Sequence, residues 1–478
     1  MDSISEVITY TCSICNKDIQ STSIKYRCPI CNQAILIKTN MTDFRDKFEN
    51  LPESSKLWDF QFALPNIKKD YIVTLGEGGT PCRASKKLGE ILEIKNLFFK
   101  DETQNPTNSF KDRAAALLIS HARSKGYHKV ICASNGNQGA SIAAYTSLEG
   151  MECVNIIPEV IDIGKRAQMI AYNSKIEIKG ETADEANEEA LNSKYEDYYQ
   201  CTPEFNPFTI EAQKTISYEI LKQIQCPDWI IIPMGSGGLL VSLWKGFLDL
   251  KEAEIIKKLP KIVGVQSQLL SPIVNGFTGN NKEHNKEVFL KSHALGILVR
   301  EPFFHNLAIK AINESKGIAL SIPENIMLTS AEELARHEGI FAEPASALTV
   351  AALNMLIQQK KAKSDEKIVC LITGSGLKTP YELEAISSRV KTAGTGGILS
   401  TKLKILSQIS LSDKYGIYGS KIKDILGSIS LPAIYQHLKE LESKGLISRK
   451  KEGKNVLYNI TDNGRKVLEA LDILITLL

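Results

Sequence analysis

The sequence predicts an α/β fold, a mostly parallel sheet architecture covered by helices, with a small cysteine-rich module before it and a basic helical segment behind it. Three observations predict this. From about Tyr71 to Val390, short Val- and Ile-rich runs alternate with longer helical patterns. Such alternation builds parallel sheets with helices on both faces. Glycine-rich turns, "SNGNQG", "GSGG" and "GSG", close three of the apolar runs, at the carboxyl ends of strands where ligands of such folds bind. The two termini depart from this pattern in composition.

At 478 residues the chain exceeds one ordinary core, so several domains are expected. Its 43% hydrophobic and 24% charged content is that of a globular protein. No apolar run reaches the roughly 18–20 residues of a membrane span. The start "MDSISEVITY" lacks a basic segment followed by an apolar one, so a cytoplasmic location is expected. The net charge of +3 is unevenly spread. From Ser400 onward 13 basic residues stand against 8 acidic ones, whereas the first 399 residues hold 45 basic and 47 acidic. An anionic partner is therefore expected for the tail and none for the body.

Residues 1–40 carry "YTCSICNKDI" and "YRCPICNQAI". Each Cys-x-x-Cys pair forms a knuckle, and Cys12, Cys15, Cys28 and Cys31 together offer four thiolates to one tetrahedral zinc. Two redox dithiols are the alternative. Four sulfurs leave zinc no open position, so its role would be structural, holding a segment too small to fold on its own core. The other six cysteines are scattered and read as small buried hydrophobes. Residues 41–70 read as a connecting segment and 71–391 as the core.

Within the core, "KVICAS" precedes "NQGASIAAYTSLEG", "ECVNIIP" precedes "GKRAQMIAY", and "DWIIIPM" precedes "GLLVSLWKGFLDL". "KIVGVQ" and "KIVCLITG" add two more strand-like runs. The acidic run "ETADEANEEA" (181–190) reads as a solvated helix face. "KTAGTGG" lies in a linker placed at 392–399. In 400–478, three helical segments, a hairpin turning at Glu452 to Asn455 and a last helix follow. Leu431, Ile434, Leu438 and Leu441 share one face of the third helix, with Ser430 as its cap and Pro432 in its first turn.

The chemistry centres on "NPTNSFKDR", which sets Lys111 at the mouth of a helix. A cation is disfavoured there, and a lysine kept as free amine forms Schiff bases. A solvated surface lysine is the bland alternative. "TGSGLKT" has Leu377 where a phosphate-loop motif needs glycine, and "GSGGLL" lacks the last glycine of the dinucleotide fingerprint. What remains is a strand ending in "PMGSGG" before a helix, where successive N–H groups from Gly235 to Leu239 can wrap a phosphate, or a plain tight turn. Lysine, phosphate cradle and parallel sheet together ask for pyridoxal phosphate.

The residues "LGEGGTP", "KDETQNPTNSFKDRAA", "SNGNQGAS", "NPFTIEAQKT", "IPMGSGGLLVSLWKGF", "EGIFAEPASA" and "LITGSGLKTP" run in an order that resembles the fold-type II pyridoxal-phosphate enzymes, and among them the threonine synthases, many of which begin with a four-cysteine zinc ribbon. The resemblance implies two open three-layer α/β domains. It also implies that Lys111 carries the cofactor and moves protons as the catalytic residue. Asn137 would meet the phenolic oxygen of the cofactor, and Gly235, Ser236, Gly237, Gly238 and Leu239 its phosphate. Thr373, or else Ser375, would face the ring nitrogen, where a hydroxyl favours elimination and replacement over transamination. Ser134, Asn135 and Gln138 would grip the carboxylate of an amino-acid substrate. The implied reaction turns O-phosphohomoserine and water into threonine and phosphate in a homodimeric lyase.

Three departures surround the substrate pocket. Thr209 stands where threonine synthases usually have Arg, the phosphate loop is Gly-Ser-Gly-Gly-Leu rather than Gly-Asn-Ala-Gly-Asn, and Ser-Asn-Gly-Asn-Gln replaces Ser-Thr-Gly-Asn-Thr. "GSGGLL" also occurs in threonine dehydratases, so dehydration of threonine or serine is an alternative, as is β-replacement on O-phosphoserine. The last segment resembles winged-helix DNA-binding domains of transcription regulators. Tyr435 and Gln436 could then reach bases, and Lys439, Arg449, Lys450, Lys451 and Lys454 phosphates. Protein contact is the other use of such a domain, and a cofactor-dependent or amino-acid-sensing regulator is the non-enzymatic alternative. No histidine pair looks metal-binding, and Glu343 reads as closing a packed turn.

Overall fold

The computed structural model describes residues 7–280, 292, 294–379, 401–412, 416–426, 431–452 and 455–477. The linker expected at 392–399 lies outside them, as do the cap Ser430 and the basic residue Lys454. The chain divides into two compact units, Met1–Ser387 and Ser388–Leu478.

The first unit opens with a three-stranded antiparallel sheet of β1 (Ile8–Cys12), β2 (Lys17–Ser21) and β3 (Leu36–Ile37), in the order β2-β1-β3. This module is not free-standing. Tyr10, Cys12, Cys28, Ile35 and Ile37 are buried in the same apolar cluster as Ala114, Leu118 and Phe208 of the core. Behind it, the Thr39 hydroxyl accepts from Lys214 at 2.7 Å and Lys245 at 2.6 Å and donates to Asp249 at 2.9 Å.

The core strands in chain order are β4 (Cys82–Ala84), β5 (Asn96–Asp101), β6 (Lys129–Ala133), β7 (Glu152–Ile157) and β8 (Lys175–Ile178). They continue with β9 (Tyr199–Gln200), β10 (Trp229–Pro233), β11 (Lys261–Ser267), β12 (Ile318–Ile322) and β13 (Lys367–Ile372). They form two sheets. One has six strands in the order β12-β11-β10-β13-β5-β4, and the other four in the order β8-β7-β6-β9. Every pairing is parallel except β4 with β5. In the larger sheet Ile230 of β10 sits between Ile262 of β11 and Val369 of β13. Every residue of β10 is buried, which explains its unbroken apolar run, since a strand covered on both faces has no reason to alternate. The ends of β5, β6, β10 and β13 lead into the turns singled out by their glycine and polar residues.

The acidic segment departs from the expectation of a solvated face. Its helix, Ala183–Glu189, exposes Glu185 and Glu188 but turns Ala183 and Asn187 to the cavity described below. Asp184 accepts from the backbone N–H groups of Arg300 at 3.1 Å and Glu301 at 3.3 Å. Helix periodicity allows this: polar residues can serve two faces at once.

The second unit holds helices Thr401–Leu411, Gly419–Leu426, Leu431–Ser443 and Asp462–Leu477 around a small sheet of β14 (Ile417–Tyr418), β15 (Ile447–Glu452) and β16 (Asn455–Ile460). Its order is β14-β16-β15, and Glu452 pairs with Asn455 at the hairpin end. Ile434, Leu438 and Leu441 are buried in its core as their spacing predicts, and Leu431 is partly exposed. No helix among the described residues is long and apolar enough to cross a membrane.

Candidate active site

Lys111 is the first residue of the helix Lys111–Ser124. Its neighbours in the motif hold it there. Asp112 accepts from Thr107 through the backbone N–H at 2.8 Å and the hydroxyl at 2.7 Å, which closes the preceding loop. Arg113 is wholly buried and bridges Glu102 at 2.8 Å and Glu219 at 2.5 Å, while Lys100 reaches Glu219 at 2.7 Å. The "KDR" triplet thus anchors the helix start from two sides. Burial lowers the Lys111 amine below the usual lysine range, against the opposing pull of Glu204, Cys132 and Glu343. The helix dipole acts in the same direction as burial. Both favour the free amine.

One cavity gathers the residues singled out from the sequence. Lys111, Ser134, Asn135, Asn137, Gln138, Gly235, Ser236, Gly237, Gly238, Leu239 and Thr373 all line it. The helices Asn137–Glu149, Gly238–Glu252 and Pro344–Gln358 start beside it, so their positive ends converge on one space suited to anions. Ser134 accepts from Gly136 N–H at 3.0 Å and Gly139 N–H at 3.1 Å, and Asn135 donates to the Leu295 carbonyl at 3.1 Å. Gln138 donates to the Cys201 carbonyl at 3.4 Å, and its Oε1 is buried without a partner. Thr373 meets Ser346 at 2.8 Å and donates to Glu343 at 3.2 Å. The alternative hydroxyl, Ser375, caps its own turn by accepting from Leu377 N–H at 3.3 Å and is not among the cavity residues.

Three charged residues join this site that the motifs did not nominate. Glu343 does stand at the turn before the helix Pro344–Gln358, but its carboxylate makes no cap there and instead accepts from Asn137 Nδ2 at 3.0 and 3.2 Å and from Lys165 at 3.2 Å. Burial would raise its pKa, yet Lys165 and Asn137 outweigh that and hold it below the usual range. Lys165 in turn pairs with Asp162 at 2.6 Å. A Cβ on Gly136 would lie 2.3 Å from Lys165 Cδ, and Gly136 has φ +143°, so only glycine lets this buried lysine pass the loop. The third is Glu204, which lines the cavity and faces Lys111. No local signal marked these residues. Thr209 lines the same cavity, 2% exposed, with Oγ1 unpartnered.

These features fit pyridoxal phosphate: a lysine biased toward its amine, an Asn137 Oδ1 buried without a partner, and a glycine cradle. Gly237 has φ +90°, and a Cβ on Gly235 would come 3.2 Å from Ile297 Cα. The first N–H groups of the following helix have no acceptor within the helix. Residues 73–374 match the family described as pyridoxal-phosphate dependent enzyme. The chain belongs to that family.

Within the pyridoxal-phosphate enzymes the similarity narrows. The chain is 38% identical to the threonine synthase of Methanocaldococcus jannaschii, over 68% of this chain and 81% of that protein. It is 35% identical to the threonine synthase of Methanosarcina acetivorans, over 69% of this chain and 81% of that protein. Among solved structures, maize serine racemase aligns with TM-score 0.53 and 18% identity, over 65% of this chain and 92% of that one. A threonine deaminase of Solanum lycopersicum aligns with TM-score 0.52 and 22% identity, over 66% and 88%. The structural likenesses establish the fold, and the sequence matches place this enzyme with the threonine synthases. Residues 398–477 match a helix-turn-helix family described as HxlR-like.

The four ribbon cysteines converge as their spacing predicts. Their sulfurs lie within 4.8 Å of one another, with Cys12 and Cys31 at 3.5 Å and Cys15 and Cys28 at 3.7 Å. Sulfurs about 3.7 Å apart match the edges of a tetrahedron with ~2.3 Å zinc–sulfur bonds. All ten cysteines are free. Of the other six, Cys132, Cys153, Cys201 and Cys370 are buried, and Cys82 and Cys226 are partly exposed.

Proposed function

We propose that this enzyme is a lyase that converts O-phosphohomoserine and water to threonine and phosphate, with Lys111 as its catalytic residue. The observation that carries the reading is the Lys111 amine, held at a helix mouth and below its ordinary pKa, within a chain that spans 81% of the threonine synthases to which it is 35% and 38% identical. Gly235 to Leu239 would hold the cofactor phosphate through backbone N–H groups, Asn137 its phenolic oxygen, and Thr373 its ring nitrogen. Bound there, pyridoxal phosphate supplies an electron sink that acidifies the Cα–H and then the Cβ–H of an amino acid.

The remaining work falls to side chains of this chain. Ser134, Asn135 and Gln138 would orient the substrate carboxylate over the amino end of the helix Asn137–Glu149. Freed from the cofactor, the Lys111 amine takes the Cα proton, and its reach to both carbons suits it to carry the Cβ proton as well. Burial keeps it a base.

The test supplies the holoenzyme with O-phosphohomoserine, O-phosphoserine, threonine and serine in turn, and measures threonine, phosphate, 2-oxo acid and ammonia. Threonine and phosphate in equal amounts from the first substrate are expected. Deamination of threonine with no phosphate released from any substrate would replace the reading with a dehydratase. Phosphate release from O-phosphoserine alone would make it a β-replacement or elimination enzyme, and no turnover of any of the four would favour a sensor.

Two further assignments belong to the same proposal. Cys12, Cys15, Cys28 and Cys31 bind a structural zinc, a role their convergence supports. The segment 400–478 binds DNA, with Tyr435, Gln436, Lys439, Arg449, Lys450, Lys451 and Lys454 at the contact, which the basic excess and the helix-turn-helix match support. The proposed domains are a ribbon (1–40), a connecting segment (41–70), a core (71–391), a linker (392–399) and a tail domain (400–478).

A further inference from the structure

We propose that Glu204 is the acid that protonates the substrate oxygen as it leaves, a role that rests on the lyase reading above. Glu204 lies on the loop between β9 and the helix Phe208–Ile224 and lines the cavity together with Lys111. The helix behind it brings Thr209 and Gln213 to the same wall, 2% and 1% exposed. Thr209 Oγ1 and Gln213 Nε2 are buried there without a hydrogen-bond partner. This part of the cavity therefore offers a ligand unused polar atoms and one carboxyl group. Among the described residues that line it, the only cationic side chain is Lys111, which is committed to the cofactor and the carbon-bound protons.

A phosphate ester entering here meets Glu204 with no arginine beside it. Two anions in one pocket repel, so the pair is tolerated when the carboxyl carries a proton, and a protonated carboxyl is a donor. The groups facing Glu204 are the Lys111 amine from its helix start, Cys132 from β6, Asp184 from the helix Ala183–Glu189, and the Ser236 hydroxyl from the glycine turn. Burial raises the Glu204 pKa and Asp184 adds to this; Lys111 and Ser236 oppose, without overcoming it. The opposition from Lys111 is weakest while its amine is uncharged, before it takes a proton from the substrate.

The step balances. As Lys111 takes the Cβ proton, that C–H electron pair forms the Cβ–Cγ double bond and the Cγ–O bond breaks. The departing oxygen keeps the C–O pair and takes the Glu204 proton, Glu204 becomes a carboxylate, and Lys111 delivers its proton to Cγ. The water that adds at Cβ leaves its hydroxyl on carbon and returns its other proton to Glu204. Thr209 and Gln213 supply hydrogen bonds to the leaving group.

The experiment compares holoenzyme of the wild type with Glu204→Gln and Glu204→Asp. Retained visible cofactor absorbance shows that each variant is folded and loaded. Calorimetric titration with inorganic phosphate across pH should show wild-type affinity falling more steeply with rising pH than that of E204Q, with E204D resembling the wild type. Turnover of O-phosphohomoserine should drop about 100-fold or more in E204Q, the usual worth of a general acid, with a smaller change in KM. Equal pH dependence of phosphate binding in wild type and E204Q, no phosphate binding, or unchanged kcat in E204Q would each overturn the assignment. If threonine forms with unaltered kcat in E204Q, the acid falls and the lyase stands. If phosphate binding behaves as expected but no threonine forms, the reaction assigned above falls and the protonated carboxyl stands.

Discussion

Lys111 and His121 sit on one helix, and burial acts on both in the same direction for different ends. Lys111 is lowered toward its free amine. His121 is 7% exposed, with Nδ1 2.7 Å from the Tyr199 hydroxyl and its ring centroid 4.3 Å from that of Phe208. Burial, with Lys125 adding repulsion, depresses its pKa from 6.5 to about 3. Between these values the unfolded chain takes up a proton that the folded chain refuses, so stability falls as pH drops through that window. The urea midpoint of the wild type should therefore fall between pH 6.5 and pH 4 by an amount worth on the order of a few kcal/mol. His121→Gln, which keeps an acceptor for Tyr199 and carries no titrating group, should lose that part of the fall. An identical pH profile in the variant would show that other groups set the acid sensitivity.

The same scale shows what a sequence can and cannot reveal. Lys111 and the glycines at 235–238 were legible because their chemistry is local: a lysine at a helix mouth, and a turn that a side chain would block. Glu204, Glu343 and Lys165 were not, because nothing in "TPEFNP", "AEPASA" or "GKRAQM" distinguishes a cavity carboxylate or a paired lysine from a capping or surface residue. Their roles arise from partners far along the chain, such as Asn137 for Glu343 and Lys111 for Glu204. Arg113 belongs to the same class: its burial between Glu102 and Glu219 depends on a helix about a hundred residues away in sequence.

At the level of elements, strand and helix alternation was readable from apolar runs, but the division into two sheets was not. Runs such as "KVICA" and "KIVCLI" are alike in composition, yet the first pairs in the four-stranded sheet and the second lies between β10 and β5 in the six-stranded one. Pairing between distant segments leaves no periodic trace. The amino-terminal strands show a related limit. Their cysteine spacing announced the convergence of four thiols, but not that Tyr10, Cys12 and Cys28 would share a core with the Lys111 helix.

That shared core gives the zinc assignment a measurable consequence. Without metal, four buried or half-buried thiols within 4.8 Å would repel as they ionise, and β1 to β3 have too few apolar residues to hold the knuckles closed. Purified protein should contain one zinc per chain. Chelation should open residues 12–31 to protease and lower the thermal midpoint, and Cys15→Ser with Cys31→Ser should do the same without chelator. Full retention of the midpoint after complete metal removal would count against a structural role.

For the whole molecule, the distribution of charge separates a nearly neutral body from a tail that carries 13 basic and 8 acidic residues. The second unit presents part of that excess in an ordered way. Tyr435, Gln436 and Lys439 are exposed on the helix Leu431–Ser443, and Arg449, Lys450 and Lys451 are exposed on β15. Arg449 and Tyr435 are partly committed within the unit. Arg449 Nε donates to Glu442 at 2.9 Å, and the Tyr435 ring packs so closely on Gly419 that a Cβ there would come within 2.8 Å. Lys439 and Lys451 are therefore the better probes of phosphate contact. Binding through phosphates releases counterions, so affinity for duplex DNA should fall steeply with salt, and each lysine that contacts a phosphate should lower the log–log slope by about one when removed. Lys439→Ala and Lys451→Ala should each reduce the slope, with similar losses across DNA sequences. Tyr435→Ala and Gln436→Ala should instead reduce the preference among sequences and leave the slope unchanged. The absence of any gel shift at low salt would assign the basic surface to contact with another protein, while the chemistry at Lys111 would be untouched by that result.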